Sequence, residues 1–183
     1  LLVLIFSCTK EPLHNAQATS SQTQDNSAVQ IAAHYIGERF GGGIIFWLDS
    51  TGGHGLIADT MDLGLFAWYN GTFITTKATA TRIGTGKANT RKIILAQGIA
   101  GSYAALACAT LSRSGYTDWF LPSKDELNVL YKQKTVVGGF VDNDYWSSSE
   151  NDINFARFQY FRNGRQYSSY KYATYYVRAV RAF

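Results

Sequence analysis

The 183 residues of this chain allow one globular domain together with a targeting segment and a linker, because domains commonly have about 100 to 200 residues. Hydrophobic residues make up 46% of the sequence and charged residues 16%, which excludes a largely disordered chain. The formal net charge of +4 is small for this length. Nucleic-acid binding usually needs a concentrated basic stripe, so nucleic acid is not expected as a partner.

The first eight residues resemble the end of a bacterial lipoprotein signal. Leu1 to Phe6 is apolar, and Ile5-Phe6-Ser7-Cys8 places an aliphatic residue at −3 and a small residue at −1 relative to a cysteine. This pattern resembles a lipobox, in which the cysteine is acylated and becomes the mature N-terminus. The apolar run is too short for a transmembrane helix, which needs about 20 residues. We therefore expect a truncated signal over residues 1–8 and a membrane anchor at Cys8.

Residues 9–33 are expected to form a flexible tether. This segment is rich in Ser, Thr, Gln and Asn, so it cannot bury enough apolar surface to offset its ordering entropy. Lys10-Glu11 resembles a short signal that sends some lipoproteins to the outer face of the outer membrane. The expected location is therefore the outer membrane, on the cell surface, with the globular domain over residues 34–183.

Strands and turns are predicted at the start of the domain, followed by two helices. Two apolar runs around the glycines at 41–43 indicate a hairpin, and residues 56–58 indicate a third short strand. The spacing of apolar residues then predicts a first helix that begins at Asn89, its N-cap, and ends near Leu111. Ser123 and Glu126 form a capping-box pattern at the start of a second helix.

Short strands are predicted after the second helix. An aromatic and hydroxyl-rich run at 145–150 precedes a strand over 156–161. Asn163-Gly164 is then a strong hairpin signal before a return strand over 166–171. Residues 175–183 alternate as one closing strand would. Two helices between a glycine-rich hairpin and a late set of strands predict an α+β domain.

Several strings in this domain resemble the C-terminal domain family of the Legionella collagen-like protein. They are Gly115 to Leu127 (GYTDWFLPSKDEL), Tyr145 to Glu150 (YWSSSE), Val177 to Arg181 (VRAVR) and, before the first helix, Gly84 to Thr90 (GTGKANT). The resemblance covers roughly residues 35 to 183. It implies a C-type lectin-like fold, with two helices on a twisted antiparallel sheet whose first and last strands pair. It also implies the function of a surface adhesin that binds sulfated glycosaminoglycans.

An enzymatic function is not expected. Leu121-Pro122-Ser123 and the final strand are also similar to formylglycine-generating enzymes. Those enzymes work through a metal-binding cysteine pair, and only Cys108 lies in this domain. Its alanine-rich surroundings are typical of a buried, unreactive thiol. His34 and His54 belong to no recognisable catalytic pattern. An enzyme of that fold is the least favoured alternative, and no cofactor is expected.

A basic, tyrosine-rich segment is the strongest candidate for a binding surface. Residues 155–183 contain arginine and lysine but no acidic residue. Arginine suits bidentate contacts with sulfate or carboxylate, and tyrosine suits stacking on sugar faces. The alternative is a solvated strand face over a tyrosine-rich core. The candidate ligand-binding residues are Arg157, Arg162, Arg165, Tyr167, Tyr170 and Lys171.

The sequence leaves two other possibilities open. Hard oxygen ligands at mixed spacing suit calcium, and the candidate ligands for it are Asp142, Asp144, Glu150 and Asp152. Alternatively, the aromatic strands could pack on a protein, as in a fimbria-associated structural subunit. The predicted function is thus a lipid-anchored, adhesin-like binding domain for polyanionic glycans. Its expected partners are the membrane, through the anchor, and a glycan or an extracellular protein.

Overall fold

The computed structural model describes residues 33–183, in which strands and short helices follow one another in an α+β order. The predicted α+β class is confirmed. The signal with Cys8 and the tether up to residue 32 lie outside the described residues. Within the described part of the chain, no helix has the length and apolar character needed to cross a membrane.

One four-stranded antiparallel sheet brings the end of the chain back to the start of the domain. Its strands are β1 (Arg39–Phe40), β2 (Gly43–Leu48), β3 (Gly55–Ala58) and β9 (Val180–Ala182), in that order. The predicted hairpin is confirmed, because Gly41 and Gly42 have positive φ angles that a tight turn requires. The last strand lies in the same sheet as the first, but it pairs with β3.

A second sheet contains five strands in the order β4-β8-β5-β6-β7. They are β4 (Gly64–Ala67), β5 (Asp144–Glu150), β6 (Phe155–Tyr160), β7 (Gln166–Tyr170) and β8 (Thr174–Val177). All neighbours are antiparallel except β5 and β8, which are parallel. The hairpin predicted at Asn163-Gly164 is confirmed, with β6 and β7 as its arms.

The single closing strand predicted over residues 175–183 is wrong. β8 ends at Val177 in one sheet and β9 begins at Val180 in the other, so Arg178 and Ala179 carry the chain between the sheets. Arg178 is only 1% exposed. A buried guanidinium needs hydrogen-bond acceptors around it, and alternation of apolar and polar residues does not reveal such a site.

The long first helix predicted from Asn89 to Leu111 is also wrong. The structure has α1 (Gly86–Gln97) and α2 (Ala104–Ala109), because Gly98, at φ 80°, ends α1. The N-cap is Thr85. Asn89 instead lies inside α1, where its buried side chain donates to the carbonyl oxygen of Ala80.

The capping box at the next helix is confirmed and also fixes the start of α1. The Ser123 hydroxyl accepts from the Glu126 amide, and the Glu126 carboxylate accepts from the Ser123 amide at 2.7 Å. The same carboxylate accepts from the amides of Gly84 and Gly86. Burial raises the pKa of Glu126, and these amides act in the opposite direction. The helix that the capping box begins is α3 (Lys124–Lys132), and a short helix, α4 (Lys134–Val137), follows it.

Two hydrophobic clusters hold the helices against the strands. The first includes Ile93 of α1 together with Trp68 and Trp146, and the second includes Leu127 and Leu130 of α3. Cys108 lies in the first cluster and is fully buried, as predicted. Burial raises the pKa of its thiol well above the usual value, which keeps it protonated and unreactive.

Candidate ligand-binding surfaces

The residues proposed from the sequence as ligand contacts do not form one surface. Arg162 and Arg165 are exposed on either side of the Asn163-Gly164 turn, as expected. Tyr167 and Tyr170 are each 47% exposed. They lie on opposite faces of the sheet, because side chains alternate along a strand and these residues are three positions apart.

The partners across the strands confirm this division into two faces. Tyr170 is opposite Phe155, and Tyr167 is opposite Phe158. Arg157 is half-buried and shares the face of Phe155 and Tyr170, since it lies two residues after Phe155 on β6. The hairpin therefore separates the candidate contacts into a tip with two arginines and two distinct aromatic faces.

The structure corrects the assignment of Lys171 as a ligand contact. Its side chain is completely buried, and its Nζ lies 2.7 Å from Oε1 of Glu150 and 3.0 Å from the carbonyl oxygen of Ile74. The ammonium also lies over the Trp68 ring, 4.8 Å from its centre. A buried ammonium that water cannot reach needs a carboxylate as its partner. Because Glu150 fills that role, the Lys171 side chain is not available to a ligand.

Glu150 likewise has a structural role and not the expected role of a calcium ligand. Its carboxylate accepts from the backbone amides of Thr76 and Lys77 at 2.9 Å as well as from Lys171. Lys77 has a φ of 60°, a left-handed conformation that is unfavourable for a side chain of this type. The buried carboxylate thus holds the loop before α1 in a strained conformation.

The calcium candidates lie at the two ends of β5, so Asp142 and Asp144 are too far from Glu150 to bind the same ion. Asp144 and Glu150 are the first and last residues of β5, a separation of roughly 20 Å at the usual rise of a strand. Asp142 lies at the Asp144 end and pairs with Lys134, and Asp152 lies at the Glu150 end and accepts from the Phe155 amide. Within residues 33–183, no cluster of three or more Asp, Glu, His or Cys could hold a metal.

Acidic residues from other segments neutralise part of the basic C-terminal region. Arg178 binds Asp62, and Arg181 binds Asp118 with a separation of 2.8 Å from Nε. Arg181 also lies over the ring of Tyr116. Its hydrogen bond holds the pKa of the Asp118 carboxyl below its usual range. The absence of acidic residues from 155–183 therefore overstates the positive charge of the folded surface.

A second basic surface, which the sequence reasoning missed, lies around α1. Its residues, which we call the α1 basic surface, are Lys77, Arg82, Lys87, Arg91 and Lys92, and all five are exposed. None of them forms a salt bridge with another residue of the described chain. A count of charges could have found it, because no acidic residue occurs between Leu63 and Thr117.

A groove of about 850 Å³ runs beside this surface. Lys87 and Arg91 lie one helical turn apart along it, and its wall includes Ile94, Leu95 and Trp119. Leu95 is 74% exposed. The groove therefore combines an apolar wall with cations that can reach an anionic ligand, a combination typical of binding sites.

A family model described as the Lcl C-terminal domain matches residues 65–181, which is more than half of the chain. The chain belongs to this family. The match runs from β4 to β9 and includes the α1 basic surface, the groove and the β6–β7 hairpin. The resemblance inferred from the sequence is thus confirmed for most of the domain. A search of curated proteins finds no match.

The fold is similar to that of a fimbrial protein from Bacteroides ovatus ATCC 8483, whose crystal structure was determined at 1.85 Å resolution. The two chains are 14% identical, with a TM-score of 0.50 over 75% of this chain. The similarity covers 43% of the fimbrial chain, so this Lcl C-terminal domain corresponds to less than half of that protein.

Proposed function

We propose that this Lcl C-terminal domain is a non-catalytic binding domain for polyanionic glycans, displayed on the cell surface. The α1 basic surface is the observation that carries the proposal. Five exposed cations without acidic partners lie on one helix and the loop before it. Sulfate and carboxylate groups repeated along a glycan would match such a surface, and arginine can bind each of them through two hydrogen bonds.

The surroundings of the α1 basic surface support this choice over the hairpin. Glu126 and Glu150, whose carboxylates contact backbone amides of this region, are buried. The more exposed Asp118 and Asp125 are already paired with Arg181 and Lys124. At the hairpin, Asp144 lies directly opposite Tyr160 on β6, and Asp142 lies nearby. Asp142 is paired with Lys134, but Asp144 forms no salt bridge within the described residues and would repel an approaching polyanion. We therefore assign Arg162 and Arg165 a smaller contribution.

A C-type lectin-like arrangement is part of the same proposal. It is supported by the return of β9 to the sheet that contains β1, which keeps the two ends of the domain close together. Such folds present loops and helix ends on one side for ligands. The absence of catalysis is likewise proposed, on the basis of a buried thiol in Cys108 and the family to which the chain belongs.

Charge reversal on α1 tests the proposed glycan site. In the variant Arg91→Glu with Lys92→Glu, we expect retention on a heparin column to be lost at low salt. The variant Arg162→Glu with Arg165→Glu carries the same change in net charge and should retain most of its binding. The wild-type interaction should weaken steeply with salt, because exposed charges are screened over about 8 Å at physiological ionic strength.

Three results would contradict the proposed glycan site. An equal loss of heparin retention in both variants would indicate that binding depends on the net charge of the domain and not on a defined site. Loss of heparin retention only in the Arg162 and Arg165 variant would place the binding site at the hairpin. A wild-type domain that never binds heparin would reject the polyanion hypothesis altogether. Thermal unfolding of each variant should accompany the column measurement, so that misfolding is recognised.

A structural subunit of a fimbria is the second candidate function. The similarity of this fold to the Bacteroides ovatus fimbrial protein favours it. A subunit of this kind would bind other subunits, and glycans would not be its ligands. Concentration-dependent self-association of the purified domain, combined with no retention on heparin, would favour the fimbrial function over glycan binding.

We also propose a lipid anchor at Cys8 and an outer-membrane, cell-surface location. Each buried methylene of an acyl chain contributes about 0.8 kcal/mol, so two or more chains make a stable anchor. We expect the precursor expressed in a Gram-negative host to partition into the detergent phase, and Cys8→Ser to move it to the aqueous phase. Metabolic labelling with a fatty acid should mark the wild type alone, and an unchanged distribution of the variant would refute the anchor.

A further inference from the structure

Five aromatic rings form a continuous strip, and one of them, Phe73, lies four positions before Lys77 of the α1 basic surface. We call them the aromatic strip, and in order of contact they are Tyr69, Phe73, Tyr172, Tyr170 and Phe155. The ring centres are separated by 4.9, 6.4, 5.1 and 4.3 Å along this order. Tyr170 and Tyr172 are nearly parallel, with 13° between their planes.

Three rings of the strip are open to solvent, whereas Tyr69 packs against the first hydrophobic cluster and Phe155 is half-buried. Phe73 is 39% exposed, Tyr170 47% and Tyr172 56%. The tyrosine hydroxyls of the strip make no hydrogen bond within the described residues, unlike the hydroxyls of Tyr103, Tyr145 and Tyr175. The strip therefore presents apolar ring faces edged by free donor and acceptor groups.

The buried ion pair lies directly behind the strip and holds it in place. Lys171 connects Tyr170 and Tyr172 in the sequence, and its side chain turns inward to Glu150 and to the carbonyl oxygen of Ile74. The amide of Trp68, next to Tyr69, donates to the Lys171 carbonyl oxygen at 2.9 Å. The segments that carry Tyr69, Phe73, Tyr170 and Tyr172 are thus fixed by the same lysine, which lowers the entropy that binding would cost.

The charges at the strip do not favour a polyanion. Lys171 is buried, and the charged side chains beside Phe155 are Asp152, which accepts from the Phe155 amide, and Arg157, on the same strand face. Their charges are opposite and cancel at a distance. A sulfated chain would gain little electrostatic attraction here, whereas the binding of an uncharged ligand does not depend on such attraction.

The area of the strip is too small for a stable protein interface. A fully exposed aromatic side chain offers about 150–250 Å², so three half-exposed rings provide roughly 300 Å². A stable protein complex buries about 800 Å² on each partner. A short oligosaccharide needs much less, and its sugar rings have apolar C–H faces surrounded by hydroxyl groups, which match the composition of the strip.

We propose that the aromatic strip is a second glycan-binding site, which takes uncharged oligosaccharide chains and acts independently of the α1 basic surface. Sugar rings stack on Tyr170, Tyr172 and Phe73, and their hydroxyl groups bind the free tyrosine hydroxyls. Because no net charge is involved, binding at this site is insensitive to salt. One domain would then hold a charged and an uncharged region of a glycan surface at separate positions.

Native affinity electrophoresis tests the proposal with four soluble neutral polysaccharides in the gel: a mixed-linkage β-glucan, xylan, galactomannan and glycogen. Mobility is compared with and without each polysaccharide, which removes the effect of protein charge. At least one polysaccharide should retard the wild type, and Tyr170→Ala should raise the concentration needed for half-retardation about tenfold. The matched control is Tyr167→Ala, since Tyr167 is equally exposed, at 47%, on the opposite face of β7.

The outcomes separate this inference from the polyanion proposal. The variant Arg91→Glu with Lys92→Glu should lose heparin retention and keep its retardation by the neutral polysaccharide. No retardation of the wild type by any of the four would overturn the inference, as would equal effects of Tyr170→Ala and Tyr167→Ala. If Tyr170→Ala lowers the melting temperature, Tyr172→Ser, at the more exposed ring, replaces it with the same expected result.

Discussion

Replacing Lys171 with methionine should lower the free energy of unfolding by about 3–5 kcal/mol, because it leaves a buried carboxylate without its counter-charge. Glu150 would keep the amides of Thr76 and Lys77 as donors, but the carbonyl oxygen of Ile74 would lose its partner. Methionine has nearly the volume of the lysine stem, so packing against Trp68 would be retained. The loss therefore measures the ion pair and its hydrogen bonds.

Urea denaturation measures this change, with Lys132→Met as the control at an exposed lysine of α3. The control should change the free energy of unfolding by less than about 0.5 kcal/mol. For a domain of this size we expect the melting temperature of Lys171→Met to fall by at least roughly 6 °C. A loss within 1 kcal/mol would mean that water reaches Glu150 and that the pair does not anchor the loop.

The Arg178→Met variant should be destabilised by a similar or larger amount, and we expect it to fold poorly at 37 °C. The guanidinium donates to the Asp62 carboxylate at 2.7 Å and to the carbonyl oxygen of Asp59 at 2.9 Å. It also binds the carbonyl oxygens of Gly138 and Gly139 and lies 3.8 Å from the centre of the Phe140 ring. Methionine would leave three carbonyl oxygens without their donor and Asp62 with the Tyr145 hydroxyl as its remaining donor, and each lost bond costs about 1–3 kcal/mol.

Arg178→Lys distinguishes the geometry of this site from its charge. Lysine keeps the positive charge near Asp62, but its single nitrogen cannot reach acceptors on several loops as the planar guanidinium does. We expect Arg178→Lys to lower the free energy of unfolding, but by less than Arg178→Met does, as measured by chemical denaturation. Full stability in Arg178→Lys would show that the charge alone matters, and full stability in Arg178→Met would contradict the role of the residue in joining the two sheets.

The predictions that succeeded depend on residues close together in the sequence. The capping box needs only Ser123 and Glu126, and the β6–β7 hairpin needs only Asn163-Gly164 between two apolar strands. Interactions of this range are encoded in short patterns, because each residue meets partners within a few positions. Gly98, which ends α1, is a local signal as well, but the apolar spacing continues past it to Leu111 and predicts one helix.

The failed predictions depend on partners far apart in the sequence. Arg178 and Asp62 are separated by 116 positions, and Lys171 and Glu150 by 21. A charged residue in a strand looks the same in the sequence whether it faces solvent or a buried carboxylate. For this reason the sequence predicts two different ligand sites for Lys171 and Glu150, although they bind each other.

The choice of binding surface illustrates the same difficulty with charge. Residues 155–183 contain no acid, yet Arg178, Arg181 and Lys171 all find carboxylates on other elements. The segment between Leu63 and Thr117 also contains no acid, and five of its cations remain exposed. Composition therefore identifies two candidate regions, and only the pairing of charges in the fold distinguishes them.

The most direct test of the central proposal is an NMR titration of the described domain with a heparin octasaccharide. We expect shifts of backbone amides in residues 82–92 that saturate with ligand and diminish with salt, together with small changes in residues 162–165. The amides of residues 170–172, in the aromatic strip, should not shift. Shifts confined to the hairpin, or no shifts at any ligand concentration, would contradict the assignment of the α1 basic surface as the site for polyanionic glycans.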